Sequence, residues 1–509
     1  MECRLNFADK SADWLSIARI GPFGALTVLL ALYCVVQVVM MPLLSVWMGT
    51  GVGVDDAEQL MYMRFLWAGY GGSQPPLFTW LLWLVSSIFG TSVLTLKIVK
   101  YTLYLATLLA IFAAVLRSGY SRRAATAAML GLFLFPQFLW EMQHSLSHSV
   151  AAVCFSAVLL LAYFELLRSR SNLAYIAFGL AMGLAILGKY NNFILIAALF
   201  TAALSLREAR RVVFTPRMTI SLAVALLVCL PTLYWNVAHP GEFMARSYKF
   251  GLASNGLTTR LAGIARFLDA ALNFAGVPIL VSALAFLLAR SAPRSEPLPP
   301  AIWEKLTVRT IAIGFGIIAI LMIASGATKF RDRWFLPVLL FLPVAVAMYA
   351  DRLGERGIVA QKVLICTGAV LALLALPFTW YYQVYGGTSG GSIARIDYSQ
   401  LYKDMTVNGP VNTVVSDWHW VGNLRLVEPQ LVVLSPEVPD FSHQLREPVM
   451  LILLDTGTPR PGMLEVAAKA GYEPADYGRA FEIKQIFGGN GEPRQVFTMR
   501  LKKIASTPQ

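Results

Sequence analysis

Eleven continuous apolar runs dominate this chain, at about 22–46, 92–116, 124–140, 150–167, 173–188, 192–206, 218–236, 270–289, 308–325, 334–350 and 363–383. Each approaches the roughly 20 residues that a helix needs to cross the hydrocarbon core of a bilayer. Lipid offers no hydrogen-bond partners, so runs of this length cross only as helices, which satisfy their own backbone. The expected fold class is a polytopic α-helical membrane protein of about eleven spans. Composition agrees: of 509 residues, 57% are hydrophobic and only 14% charged, where soluble chains carry about 25%. An ordinary soluble enzyme and a disordered chain are both excluded.

Charge placement orients the helices. A twelfth apolar stretch, PLFTWLLWLVSSIF at 76–89, is only 14 residues long and opens after Pro75. If it spanned, the clusters Arg117/Arg122/Arg123, Arg168/Arg170 and Arg207/Arg210/Arg211/Arg217 would all face outward, against the positive-inside bias. Residues 76–89 are therefore expected as an outer juxtamembrane helix. The N-terminus is then cytoplasmic, and the first run reads as an uncleaved signal anchor. Of the formal charge of +13, the cytoplasmic segments hold +10, the outer membrane face +4 and residues 384–509 −1. Most of the charge is thus topology, and no nucleic-acid partner is implied.

Two domains follow, a transmembrane unit over 1–383 and a small outer α/β domain over 384–509. The second alternates strand-like runs (411–417, 431–438, 449–455, 495–501) with a helix-like run at 462–471. Four of the five cysteines lie within predicted spans and none in the C-terminal domain, so no disulfide framework is indicated. RSAPRSEPLPP (290–300) reads as a cytoplasmic linker.

Unusual chemistry concentrates on the outer side. Asp55, Asp56 and Glu58 place three carboxylates within four residues directly after a span. They fit a helix start, where the macrodipole favours acids. They also fit a general base or cation site at the membrane surface, where carboxylate pKa values are easily tuned. The Pro-braced aromatic helix behind them would roof a cavity at bilayer depth. Lys189 ends a span, as a snorkelling lysine or an anion ligand. His144 and His148, spaced i, i+4, suit two metal ligands on one helix face. The loop 237–268 supplies His239, Glu242, Arg246 and Lys249. ATKFRDRWFLP (327–337) gathers Lys329, Arg331 and Arg333 where positive residues are disfavoured, and an anionic ligand such as phosphate is the simplest reason.

At these residues the chain resembles the C-type glycosyltransferase superfamily, in the bacterial branch related to protein O-mannosyltransferases and lipid A aminoarabinose transferases. The resemblance covers about 20–350. It rests on Asp55-Asp56, on Pro75-Pro76-Leu77-Phe78-Thr79-Trp80 with Phe89-Gly90, on GLAMGLAILGKYNNF (179–193) and on SGATKFRDRWFLPVLLFLPVAV (325–346). DDAEQ with GYGGSQPPLFTW is most similar to transferases that decorate lipopolysaccharide in alphaproteobacteria.

The resemblance implies an inner-membrane transferase that takes a sugar from a polyprenyl-phosphate donor at the periplasmic face. Its acceptor would be lipid A, lipopolysaccharide or protein, and galacturonic acid is one donor sugar it implies. Asp55 would deprotonate the acceptor in a single inverting displacement, with Asp56 beside it in the catalytic pair. Glu58, Gln74, His148, Lys189, Tyr190, Arg246, Lys249, Lys329, Arg331 and Arg333 are the implied substrate-binding residues. No cofactor is expected to be required. A divalent metal, if one binds, would draw on Asp55, Asp56, Glu58, His144, His148 or His239. SDWHWVGNLRL (416–426) resembles appended soluble domains that help recognise acceptors. The chain departs from the family in carrying SLSHS where relatives often place an aspartate before the fourth span. A transporter or flippase of lipid-linked anions is the competing class. It predicts internal repeats and midplane charges, whereas this sequence shows no repeat and gathers its charges at one face.

Overall fold

A computed structural model describes residues 13–20, 23–71, 74–244, 257–327, 329–385, 393–417, 419–486 and 493–504. The membrane unit is built, in chain order, from α1 (Ala25–Met48), α2 (Val54–Tyr62), α3 (Leu77–Phe89), α4 (Val93–Arg117), α5 (Arg122–Leu130), α6 (Ser147–Ser169), α7 (Asn172–Gly188), α8 (Asn192–Leu204), α9 (Met218–Ala238), α10 (Leu257–Leu288), α11 (Ile302–Ser325), α12 (Leu342–Asp351) and α13 (Glu355–Tyr385). Among the described residues, eight segments are long and apolar enough to cross a bilayer: α1, α4, α6, α9, α10, α11, Asp332–Asp351 (which ends in α12) and α13.

The runs at 173–188 and 192–206 form the shorter helices α7 and α8. The run at 124–140 is broken. After α5 the chain tightens into a 3-10 turn at Gly131–Leu134, passes Pro136, and widens into a π-helical turn at Gln137–Glu141. The two halves meet at 78°. Proline removes a backbone donor and clashes with the preceding turn, which is enough to break a helix. The stretch 76–89 is α3, whose 13 residues reach roughly 20 Å at 1.5 Å per residue. That is shorter than a bilayer core, and the 13 residues of α8 are equally short.

Helices α1, α4, α6, α7 and α9 pack successively side by side, and α8 packs on α11. Small residues set the closest approach. A Cβ on Gly179 would stand 2.4 Å from the carbonyl oxygen of Ser221, and one on Gly183 would stand 2.7 Å from Cβ of Val228. The glycine-rich GLAMGL run is therefore the packing face of α7 against α9. A buried polar network ties α1 to α13 and to the broken segment. Tyr33 donates to Gln143 at 2.7 Å, Gln37 donates to Thr379 at 2.9 Å, and Trp380 donates to Gln37 at 2.9 Å.

The C-terminal part carries α14 (Tyr398–Thr406), α15 (Pro461–Lys469) and strands β1 (Thr413–Val415), β2 (Val432–Leu434), β3 (Val449–Leu454), β4 (Tyr472–Pro474), β5 (Arg479–Ile483) and β6 (Arg494–Lys503). The sheet runs β2-β1-β3-β6-β4, with β5 also on β6. The β1–β2 and β1–β3 pairs are parallel, and all β6 pairs are antiparallel. All four expected strands and the expected helix are present; β4, β5 and α14 are additional. One face of the sheet buries Leu451, Leu453 and Met499 under α15. The other shares a core with Met61, Tyr62 and Tyr70 from the first loop of the membrane unit, so the domain sits directly on α2.

Candidate functional site

The site begins where α1 ends. Gly49, with φ 64, closes α1, and the chain turns through Gly53 into α2, which opens on Asp55 and Asp56. Adjacent residues on a helix face different ways, and the two aspartates have different fates. Asp56 points into the bundle, where its carboxylate accepts from Lys100 Nζ at 2.9 and 3.2 Å, from Lys97 Nζ at 3.5 Å and from the Ser147 hydroxyl. Burial alone would raise this carboxyl, but Lys100, Lys97 and Ser147 together hold it well below the ordinary aspartate range. Sequence reading paired Asp56 with Asp55 as catalytic. The geometry instead gives it an internal ion cluster that joins α2, α4 and α6.

Asp55 is half-buried and makes no hydrogen bond or ion pair with another described residue. Its pKa is raised, first by burial and then by the negative charge of Glu58. Asp56 adds to the rise, while Arg333 and Lys100 oppose it. Lys189, in the break between α7 and α8, donates to Ser149 at 3.1 Å. Burial and the charge of Arg333 lower its pKa to about 8, against the opposing pull of Asp55. Asp55, Lys189 and Arg333 thus lie within one electrostatic neighbourhood, though they are far apart in sequence. Glu141, on the π-helical turn, falls within reach of Asp55, Asp332 and Arg333. Sequence reading missed it.

The aromatic helix α3 roofs α2. Thr79 donates to Gln59 at 2.8 Å, Gln59 meets His148 Nε2 at 2.8 Å, Phe78 lies 6.0 Å from the His148 ring, and Trp80 donates to the Trp67 carbonyl at 2.7 Å. Gln74 donates to Glu58 at 3.0 Å, and Glu58 also meets His419 of the C-terminal domain at 3.4 Å. Tyr190 accepts from Asn236 at 3.1 Å.

Other expected residues are placed differently. Lys329 and Arg331 are exposed, before the turn Asp332–Phe335; of the three cations there, only Arg333 is coupled to Asp55 and Lys189. Arg246 and Lys249 lie outside the described residues. His144 and His148 do not share a helix face, because the helix stops at Ser145 and restarts after Leu146, which adopts φ 49. His144 instead stacks on Trp140 and meets Tyr382 edge-on, with centroids 5.3 and 4.6 Å away. His239 stacks on Trp235 at 4.8 Å. Among the described residues, no three His, Cys, Asp or Glu side chains converge as a metal would need. The candidate ligands are therefore not brought together.

Sequence reading also missed Lys97 and Lys100. The signal was available, since charged side chains inside an apolar run are costly and need a partner. Arg425 was missed as well; it donates to the Leu60 carbonyl and to Thr91.

This arrangement resembles known proteins in both sequence and fold. A family model, Dolichyl-phosphate-mannose-protein mannosyltransferase, matches residues 73–235. The chain is 30% identical over 442 residues to the lipopolysaccharide core galacturonosyltransferase RgtB of Rhizobium johnstonii, covering 84% of this chain and 86% of the relative. It is 28% identical over 424 residues to RgtA, another lipopolysaccharide core galacturonosyltransferase of that organism, covering 81% and 82%. The lipid A galacturonosyltransferase RgtD of the same organism matches over 193 residues at 28% identity, 36% of this chain and 38% of the relative. In fold, the chain is similar to ArnT from Cupriavidus metallidurans, solved with undecaprenyl phosphate. There the TM-score is 0.54 and the identity 16%, over 95% of this chain and all of that one.

Proposed function

The chain belongs to the C-type glycosyltransferase superfamily, in its branch of lipid A- and lipopolysaccharide-modifying transferases, and from that membership we propose that it transfers galacturonic acid from a polyprenyl-phosphate carrier to a lipopolysaccharide acceptor. The sugar and acceptor are those named for relatives that align over most of both chains. The polyprenyl-phosphate carrier accords with the ligand of the similar fold. The enzyme works at the periplasmic face of a bacterial inner membrane, with the N-terminus cytoplasmic and the C-terminal domain periplasmic, as the charge asymmetry favours.

One observation carries the mechanism. The Asp55 carboxylate is unpaired among the described residues, lifted in basicity by burial and by Glu58, and near two cations. Such a group is poised to take a proton. The acceptor hydroxyl gives its proton to Asp55 as its oxygen bonds to the anomeric carbon. The bond from that carbon to the phosphate oxygen breaks on the opposite side, inverting the centre, and the polyprenyl phosphate leaves with the electron pair. Arg333 and Lys189 stabilise the charge that gathers on it. Asp56 holds α2 in place. No metal is required on this reading, because those two cations supply the neutralisation; chelation by EDTA should leave the rate unchanged.

The test is transfer by the purified protein from a polyprenyl-phosphate galacturonic acid to lipopolysaccharide core. Asp55→Asn should lower kcat by at least about a hundredfold, the lower bound for general-base catalysis, while the protein stays folded. Transfer that survives the substitution unchanged rejects Asp55 as the base.

A further inference from the structure

The C-terminal domain grips α2 in two different ways. Three contacts engage backbone. The Asn423 side chain accepts from the Val52 amide at 2.7 Å and donates to the Val52 carbonyl at 3.1 Å. Arg425 donates to the carbonyl of Leu60, one of the helix-end acceptors that lack a partner within the helix. A Cβ on Gly422 would stand 1.9 Å from the Ala57 carbonyl oxygen. These contacts seat the domain. A fourth contact joins side chains: His419 Nε2 lies 3.4 Å from Glu58 Oε1 and 3.4 Å from Glu437 Oε2.

Glu58 stands three residues after Asp55, on the same side of α2. Its side chain is 6% exposed, whereas that of Glu437 is 46% exposed. The imidazole therefore bridges from an acid beside the base to one at the domain surface. With its proton on Nε2, the His419 imidazole donates to Glu58 and draws negative charge away from Asp55. The backbone contacts seat the helix but leave the Glu58 charge untouched.

We propose that His419, backed by Glu437, is a positioning residue of the transfer reaction, through which the C-terminal domain sets the Glu58–Asp55 face and becomes a working part of the active centre. This rests on the reading of Asp55 as the base. The charged groups facing Asp55 are Glu58 and Asp56 on its own helix, Arg333 from the turn Asp332–Phe335, Lys100 from α4, Lys189 from the break between α7 and α8, and Glu141 from the π-helical turn. Those facing His419 are Glu58 and Glu437, with the Tyr62 ring 5.9 Å away.

The experiment uses the full chain in detergent, with polyprenyl-phosphate galacturonic acid and lipopolysaccharide core. His419→Ala should lower kcat about tenfold with the donor KM unchanged. It should also move the acid limb of the rate profile to higher pH, because a less compensated Glu58 raises Asp55 further. His419→Gln keeps an N–H donor and should restore both. A wild-type kcat and acid limb in His419→Ala overturns the proposal, as does a rate loss that matches the fraction of protein unfolded. If the wild-type protein transfers nothing, the functional reading fails instead. The proposal is then read by hydrogen exchange over residues 54–62, which His419→Ala must accelerate; unchanged exchange rejects it.

Discussion

Two neighbouring carboxylates of one helix end in opposite states, and the difference predicts the pH dependence. Asp56 meets two ammonium groups and a hydroxyl, and keeps its proton off far into acid. Asp55 has no such partner and is raised. A base must be ionised to act, so the rate should fall as pH drops through the raised Asp55 pKa. Lys189, lowered to about 8, must stay charged to face a leaving phosphate, so the rate should fall again above about that pH. The expected kcat profile is a bell. Lys189→Arg should remove its alkaline limb, because guanidinium stays protonated throughout. A profile whose alkaline limb is the same in both proteins separates Lys189 from that step. The same shift has a stability sign. A carboxyl raised on folding stabilises the fold at low pH and loses that contribution as pH rises through its folded pKa. Asp55→Asn should therefore leave the protein at least as heat-stable as wild type near pH 7.

At the scale of elements, the ion cluster around Asp56 pins α2 to α4 and α6. The side chains of Asp56, Lys97 and Lys100 are 2%, 5% and 0% exposed, so solvent cannot replace a lost partner. Asp56→Asn would strand two buried cations, a change that typically costs about 3–5 kcal/mol. It should appear as a lowered thermal midpoint in detergent, with part recovered in Asp56→Asn/Lys100→Met. Equal midpoints for wild type and Asp56→Asn would contradict the structural role. Periodicity could expose the acidic start of α2 and the length of α3. It could not assign partners, because Asp55 and Asp56 are adjacent and only the packing of α4 decides which one is neutralised. The i, i+4 spacing of His144 and His148 failed for a local reason, since Leu146 takes a left-handed conformation that interrupts the helix between them. β5 escaped notice because RAFEI is largely exposed and lacks clean alternation. Arg333 was legible only as one cation among three, because a turn, not a spacing, separates it from Lys329 and Arg331.

For the whole molecule, one sheet-bearing domain lies on the end of the bundle that holds Asp55, and the arginine-rich connectors lie between helix ends elsewhere. Asn423, Arg425 and His419 bond to α2 or its flanks, so the domain and the acidic helix must occupy the same side of the membrane. On the proposed topology, in which the segments carrying +10 are cytoplasmic, that side faces away from the cytoplasm. Thiol labelling can test this, since the described native cysteines Cys34, Cys154 and Cys229 are buried and Cys366 is half-buried. Tyr477 is fully exposed in the C-terminal domain, and Glu296 is exposed in the linker before α11. In intact spheroplasts, Tyr477→Cys should react with a membrane-impermeant maleimide at once, and Glu296→Cys only after permeabilisation. The reverse order would move the acidic helix, the domain and the proposed chemistry together to the cytoplasmic face. Because the domain and the acidic helix share one set of contacts, no outcome can move the domain without moving Asp55.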